Sequence, residues 1–441
     1  MPVISKSKFI EGLQCPKLLW YEFNRKSEIP KPDAMAKAVM DEGNKVGAVA
    51  RQAYPGGILL ERDWNFQKMH DKSLQALSAR QPLFEAGFLY NDAYAIADIL
   101  LPVEADAWDL IEVKSSTNLK ATYYDDVAFQ KYTYQGAGLK IRGTYLMNLN
   151  RDYIKRGAIE PAKLLKKEEV SERVGEKLGG IEAKLAELQK IIAGKEPPDI
   201  PLCPGCRDCR LSEACGYTSP VSSRKAQFDK EAIKTFLRQI EYPVYYLDFE
   251  TLAPAVPIYD LTHPYEEVPF QFSLHEVAGE GAAPIHYSYL APGDVDPRPE
   301  VLARLKELLK DKGSILAYNA TYEKNCLRRM AEAYPEYQSW LEATAPRFID
   351  LWLPFKNRHF YDPQQAESTS MKAVLPALVG TSYDGLEIKE GFTARTEYLR
   401  VVFGTAIEPA DRQKVFNALE KYCEQDTLGM VQILDELKRR I

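Results

Sequence analysis

At 441 residues the chain exceeds what one hydrophobic core organises, since single cores stop growing at roughly 250–300 residues. Hydrophobic residues make up 45% and charged residues 27% of it, with no low-complexity tract, which excludes a disordered or fibrous protein and sets the expectation at two globular domains. A net charge of -6 and a pI near 5.7 exclude a protein that coats nucleic acid through bulk positive charge, while leaving room for an enzyme with a local basic groove.

The opening MPVISKSKFIEGLQCPKLLW has neither the apolar stretch nor the cleavage site of a signal peptide. No run approaches the roughly 20 apolar residues of a membrane helix. A cytoplasmic location without a membrane partner is therefore expected. From Ser5 to about Arg51 the spacing of Phe9, Leu13, Leu18 and Trp20 predicts packed helices, with Gly43 and Gly47 four apart. Between Pro82 and Asn150 the pattern turns to strands: FLYNDAYAIADILLPV and WDLIEVKSS around an acidic turn, an amphipathic helix near Asp126 to Gly136, then the strand TYLMNLN. Arg156 to Lys195, rich in Lys, Glu, Leu and Ala, reads as helices with a solvated charged face.

The prolines of EPPDIPLCPGC stop that helix and deliver Cys203, Cys206, Cys209 and Cys215. Seven cysteines, four of them this close together, indicate metal-site spacing rather than a secreted disulfide framework. The polar link TSPVSSRK then divides the chain into 1–220 and 221–441. The second part alternates strands (PVYYLDFE, PFQFSLHEV, IHYSYL, SILAYN) with helices (FDKEAIKTFLRQI, PEVLARLKELLKD, YEKNCLRRMAEAY and a last one from about Pro409 to Arg440), the pattern of an α/β layer domain.

In YYLDFET the period-two geometry of a strand puts Asp248 and Glu250 on one face, with Leu247 and Phe249 on the other. An acidic pair on an edge strand would show the same spacing. On the last helix, Leu419, Tyr422, Cys423, Asp426, Met430 and Leu434 share an apolar stripe, so Asp426 points inward with Tyr422 one turn before it. A carboxylate on a buried face is costly unless paired or bound to a metal. Glu323 occupies the first turn of the helix after SILAYNATY, where the helix dipole alone would also favour an acid.

DFE, NATYE and YCEQD, in that order, resemble motifs I, II and III of the DEDD exonucleases, in the subclass with a tyrosine in the third motif, over most of residues 242–435. Together with FIDLWLPF and STSMKAVLPAL, and joined to a cysteine-bearing nuclease-like region, they also resemble an uncharacterised bacterial family of fused nuclease-like proteins of the DUF2779 type. The resemblance implies an RNase H-like fold and two-metal phosphodiester hydrolysis. Asp248 would bridge two Mg²⁺ or Mn²⁺ ions, Glu250, Glu323 and Asp426 would complete the shells, and Tyr422 would orient or deprotonate the attacking water. The family usually has aspartate where this chain has Glu323. Asp350 is a fifth candidate, in a structural or substrate-positioning role.

Upstream, Asp98, Glu112 and Lys114 form D-x13-E-x-K, with Glu112 and Lys114 on one strand face and Asp98 on the adjacent strand. Gln130 and Tyr134 follow one helical turn apart. IADIL, IEVKSS and QKYTY resemble the PD-(D/E)XK nucleases of the RecB and Cas4 type over about Ser5 to Gly216, which implies a restriction-endonuclease-like fold. In that group an early cysteine and a late trio hold a [4Fe-4S] cluster that clamps the domain. Here Cys15 is the early thiol, Cys209 and Cys215 fit either late spacing, and Cys203 and Cys206 compete for the remaining place, with Cys206 favoured for compact CxxC chelation. The alternative is a structural Zn²⁺ on the four late cysteines, with Cys15 an ordinary buried thiol. The family's early histidine ligand has no counterpart in Gly43-Asn44-Lys45-Val46-Gly47, and Glu85 is the candidate in its place. Cys326 and Cys423 read as core residues. Tyr259, Tyr265 and Phe270 could stack on unpaired bases, although buried packing is the commoner fate of such rings.

The expected function is a bifunctional nuclease acting on nucleic acid, DNA favoured over RNA and single-stranded ends over duplex. One alternative has only the C-terminal site cut, with the N-terminal lobe an iron-sulfur nucleic-acid-binding module. Another is a nucleic-acid-binding protein without catalysis. No motif points to a protein partner. Elemental analysis of the purified chain tests the cysteine reading: about four irons per chain and broad visible absorbance are expected, and zinc in place of iron would defeat it.

Overall fold

The computed structural model describes residues 2–104, 106–202, 204–217 and 224–441. Cys203 lies outside the described residues, as does the expected division at residue 220. The chain forms two compact units: Met1–Ser219 with Pro254–Tyr265, and Pro220–Ala253 with Glu266–Ile441. The segment that leaves the DFE strand thus belongs to the first unit. There the backbone N–H of Ala255 donates to Glu42 and the Lys155 ammonium meets Asp260 at 2.5 Å.

The first unit contains β1 (Ile4–Ser5), α1 (Lys6–Gln14), α2 (Pro16–Asn24), α3 (Ala34–Gln52), β2 (Ile58–Leu59), α4 (Phe66–Leu77), β3 (Leu83–Tyr90), β4 (Ala93–Pro102), β5 (Ala107–Lys114), α5 (Ala121–Gly136), β6 (Lys140–Leu149), α6 (Pro161–Leu164), β7 (Leu165–Glu169), α7 (Ser171–Leu178) and α8 (Ile181–Ala193). The sheet order is β2-β3-β4-β5-β6-β7, with β1 beside β4. β3, β4 and β5 are antiparallel neighbours, and β6 returns parallel to β5 after α5. FLYNDAYAIADILLPV is two strands, because Asn91 and Asp92 both take positive φ (49° and 58°), the tight hairpin turn that these residue types favour. α5 buries Val127, Phe129 and Tyr134 against this sheet, and Phe9 of α1 stacks on Phe129 at 4.5 Å.

β7 falls within the stretch expected to be helical. Its LKKEE buries only Leu165 and pairs antiparallel with β6, so ladder bonds override helical composition, and the four exposed charges make a protected sheet edge.

The second unit contains β8 (Gln227–Phe228), α9 (Lys230–Leu237), β9 (Val244–Leu252), β10 (Val268–Val277), β11 (Ile285–Leu290), α10 (Arg298–Leu308), β12 (Ser314–Ala317), α11 (Ala320–Ala333), α12 (Gln338–Thr344), β13 (Phe348–Asp350), α13 (Leu353–Lys356), β14 (Phe360–Tyr361), α14 (Met371–Val379), α15 (Gly391–Phe403) and α16 (Pro409–Arg439). Its main sheet runs β11-β10-β9-β12-β13: the first three strands are antiparallel, and β12 and β13 are parallel to β9. Tyr245, Leu247 and Phe249 of β9 pack with Val301, Leu302 and Leu327 of α10 and α11. The opposite face meets α16. Phe270 is fully buried and stacks on Tyr398 at 4.0 Å, and Tyr259 is buried within the first unit, so packing is the fate of both rings.

β9 pairs with β12 only as far as Tyr246 opposite Leu316, and then continues to Leu252. Asp248 and Glu250 lie in that extension. A crevice forms naturally where neighbouring strands part in this way. Gly313, at the turn into β12, has φ of 90°, and a Cβ there would come within 2.0 Å of the Pro243 carbonyl oxygen. Gly313→Ala should therefore destabilise the second unit by about 2 kcal/mol or more, whereas Gly279→Ala, which meets open space, should change denaturant midpoints little.

Candidate metal centre

Strand alternation aims Asp248 and Glu250 of β9 at α16, and the buried stripe of α16 brings Asp426 to meet them. One carboxylate oxygen from each lies within 4.8 Å of the other two. Among the described residues no other set of three acidic, histidine or cysteine side chains comes this close. Leu419, Met430, Ile433, Leu434 and Leu437 are buried on the same helix. At roughly 1.5–3 kcal/mol each they offset the several kcal/mol that burying one carboxylate costs.

The environment resists full ionisation. Burial, then Asp426, Glu250 and Glu323, hold Asp248 well above the ordinary carboxylate range. Burial, then Asp426, pushes Glu250 up to about 8, with Lys372 and Arg395 pulling the other way. Burial lifts Asp426 to about 6 against the hydrogen bond from Tyr383, whose hydroxyl donates to Asp426 Oδ1 at 2.5 Å. Tyr422 lies beside Asp426, and burial, then that carboxylate, keeps its phenol protonated far above the ordinary range. The Cys423 thiol, expected to be plain core, donates to Asp248 Oδ2 at 3.8 Å.

Glu323 stands apart from the triad but bears on it electrostatically. It is 2% exposed, its Oε2 has no hydrogen-bond partner, and burial raises it to about 8. An orphaned buried carboxylate oxygen suits a cation ligand, as does a triad of oxygens at this spacing. Asp350 positions rather than joins the centre: its Oδ1 accepts from the backbone N–H of Asn319, at φ 81° on the threshold of α11, and of Trp352. It thereby fixes the helix that carries Glu323.

A cavity of about 530 Å³ opens on Asp248, Glu250 and Asp426 and is also lined by Tyr422, Lys372 and Arg395. The start of α15 closes against Glu250, where a Cβ on Gly391 would sit 3.4 Å from Oε2. Tyr383, Lys372 and Arg395 escaped the sequence reading, although Lys372 stands within the STSMK segment already singled out.

In the first unit, Ile99 faces Ile111 across β4 and β5, which carries Asp98 to Glu112, and Asp98 Oδ2 accepts from the Val113 N–H at 2.7 Å. Burial and Glu112 lift Asp98 to about 7. Glu112 opposes its own burial through the ammonium of Lys114 at 2.8 Å, that of Lys6 at 2.5 Å and the Gln130 amide at 2.6 Å, and is held below the ordinary range. Lys114 also meets Asp126 at 2.5 Å. Lys6 and Asp126 are additions to the expected set. Tyr134 ties strands together: its buried hydroxyl accepts from the Ala97 N–H at 2.7 Å and donates to the Ala86 carbonyl. Glu85 has φ of 58° and pairs with Arg51 and Arg62.

Cys15 caps α2, accepting the Leu18 N–H at 3.3 Å, and Cys209 accepts the Leu211 N–H at 3.5 Å. Burial pushes the Cys215 thiol up, and Cys15 and Cys209 push it further. Cys209 and Cys215 pack beside Trp20, Tyr21 and Leu211, and Cys15 is near enough to Cys215 to act on it electrostatically. Cys206 precedes them in a short helical turn, with its carbonyl accepting the Cys209 N–H.

The geometry defines a mixed α/β protein with a buried carboxylate centre fit for divalent cations. No helix of the described residues is long and apolar enough to cross a membrane. Residues 245–370, which hold β9 and Glu323 but not Asp426, match a domain of unknown function, DUF2779. The chain is also 26% identical over 219 residues to an uncharacterized protein of Mycoplasma pneumoniae, the MG366 homolog, a match covering 45% of this chain. The chain spans about a third of the length of that curated relative, 33%.

Carboxyl groups raised in the folded state bind protons that the unfolded chain has already lost, so stability falls as pH rises. For Glu250 and Glu323 the window runs from the ordinary value near 4.5 to about 8, at up to ~1.4 kcal/mol per pH unit for each group. In EDTA the second unit should melt at progressively lower temperature from pH 5 to 8.5. Mn²⁺ should flatten that profile, and a profile insensitive to Mn²⁺ would argue against cation binding.

Proposed function

We propose that the second unit is a metal-dependent nuclease of RNase H-like fold, hydrolysing phosphodiester bonds at unpaired strand ends, with DNA favoured over RNA. The observation that carries the reading is the approach of Asp248, Glu250 and Asp426 oxygens to within 4.8 Å on one buried face. The strand arrangement and the order DFE, NATYE, YCEQD support it.

Asp248, Glu250, Glu323 and Asp426 would hold two Mg²⁺ or Mn²⁺ ions, which supply Lewis-acid activation of water and of the leaving oxygen. Asp426 has Oδ1 engaged by Tyr383 and would bring a carboxylate oxygen to the ions beside Asp248 and Glu250. A phenol kept protonated orients the nucleophilic water by hydrogen bonding rather than by removing its proton, which is the role given to Tyr422. Asp350 holds α11 in place, and Cys423 steadies Asp248.

For the first unit we read a PD-(D/E)XK nuclease lobe, supported by the three antiparallel strands, crossover helix and parallel strand that present Asp98, Glu112 and Lys114. Cys15, Cys209 and Cys215, with Cys206 or Cys203, would hold a [4Fe-4S] cluster that staples the start of α2 to the end of the unit. One observation favours a second reading, in which only the second unit cuts: both Glu112 oxygens are already engaged by Lys6, Lys114 and Gln130.

End-labelled single- and double-stranded DNA and RNA with Mn²⁺ or Mg²⁺ test these readings. Asp248→Asn with Glu250→Gln should lower cleavage by at least ~10²-fold. If Asp98→Asn with Glu112→Gln leaves every activity intact, the first lobe does not cut. A wild-type chain that binds strands and never cleaves them removes the nuclease reading.

A further inference from the structure

The cavity over the carboxylates also holds two cations for which the hydrolytic chemistry above has no use. Lys372 stands in the first turn of α14 and Arg395 one turn into α15, and both line the cavity. Among the described residues neither lies within the 4.0 Å of a carboxylate oxygen that makes an ion pair. The Lys372 ammonium instead sits over two rings, 5.3 Å from the centre of Tyr422 and 5.7 Å from that of Tyr383. The Arg395 guanidinium lies 5.5 Å from the centre of Phe392, three residues earlier on the same helix face. Rings fix the direction of a cation without neutralising it.

Two cations that face the cavity from beyond ion-pair distance of its carboxylates suit a ligand that is itself anionic at more than one point. A strand terminus has two separate charges to offer, the scissile phosphate over the carboxylates and the next backbone phosphate beyond it. The cavity volume of about 530 Å³ is that of a small-ligand pocket and suits the end of a strand. Arg395, with its planar fork, suits a phosphate bidentately, and Lys372 suits it as a point charge.

Resting on the nuclease reading, we propose that Lys372 and Arg395 grip the backbone phosphate next to the scissile one, so that the site selects a single-stranded terminus of at least three nucleotides. Phe392 lines the same cavity and supplies an aromatic surface beside that phosphate. The two residues bind and position substrate, and the carboxylates carry the chemistry.

Binding can be read apart from cleavage by fluorescence anisotropy of a labelled single-stranded oligodeoxynucleotide on the full chain in Ca²⁺. Lys372→Gln and Arg395→Gln should each weaken binding about tenfold or more. The double variant should flatten the dependence of log affinity on log salt by about 0.7 for each lost phosphate contact. Lys372→Arg should restore most of the affinity, which a merely misfolded Lys372→Gln would not predict. A strand with one uncharged methylphosphonate at the second linkage from the terminus, the one after the scissile linkage, should bind the wild type as weakly as the double variant binds the native strand, and should be indifferent to both substitutions. Equal affinity of wild type and double variant would overturn the assignment. So would competition by a free mononucleotide as effective as that by the strand. If binding responds as expected while Mn²⁺ brings no cleavage, the phosphate grip stands and the nuclease reading falls.

Discussion

Several carboxylates of like charge share one buried face, and the second unit is organised around tolerating that repulsion. β9 fixes two of them by alternation, and α16 adds a third from an otherwise apolar stripe. Helix burial supplies the energy and hydrogen bonds limit the damage: Tyr383 takes up one oxygen of Asp426 and Cys423 approaches Asp248. What remains is a site that holds protons unless cations replace them. The three carboxylates already stand together, so a ligand of the right charge spends little on ordering them.

The first unit meets a related difficulty by the opposite means. Glu112 is fully engaged by two ammonium groups and an amide, and is held ionised. Asp98 nearby is pushed the other way, up to about 7. The first cluster is charge-compensated from within, whereas the second brings three carboxylates within 4.8 Å of one another with raised proton affinities. The contrast explains why spacing alone, D-x13-E-x-K in one place and DFE in another, says so little about the charge state of each centre.

Periodicity made the main elements readable, because the amphipathic stripe of α16 and the alternation of β9 are local facts that the fold obeys. Asp248, Glu250 and Asp426 could therefore be brought together from sequence. β7 was hidden because LKKEE has helical composition and becomes a strand only through pairing with β6. Lys6, Asp126 and Tyr383 were hidden for a related reason. Lys6 reaches Glu112 over 106 residues and Tyr383 reaches Asp426 over 43, while Asp126 on α5 meets Lys114 on β5 across a change of element, and no periodic pattern encodes such meetings. The role of Asp350 was half visible: FIDLW marked it, but only the φ of Asn319 shows what its carboxylate holds.

Residues 254–265 belong to the first unit although they are flanked by β9 and β10 of the second. The order of synthesis then matters. When residue 219 has left the ribosome, the first unit still lacks a piece that brings Ala255 to its core and Asp260 to Lys155. At ~5–20 residues per second, that piece arrives seconds later, behind β8, α9 and β9 of the other unit. The two units therefore mature as interleaved products of one chain, and a cut at residue 220 would leave the first of them unfinished.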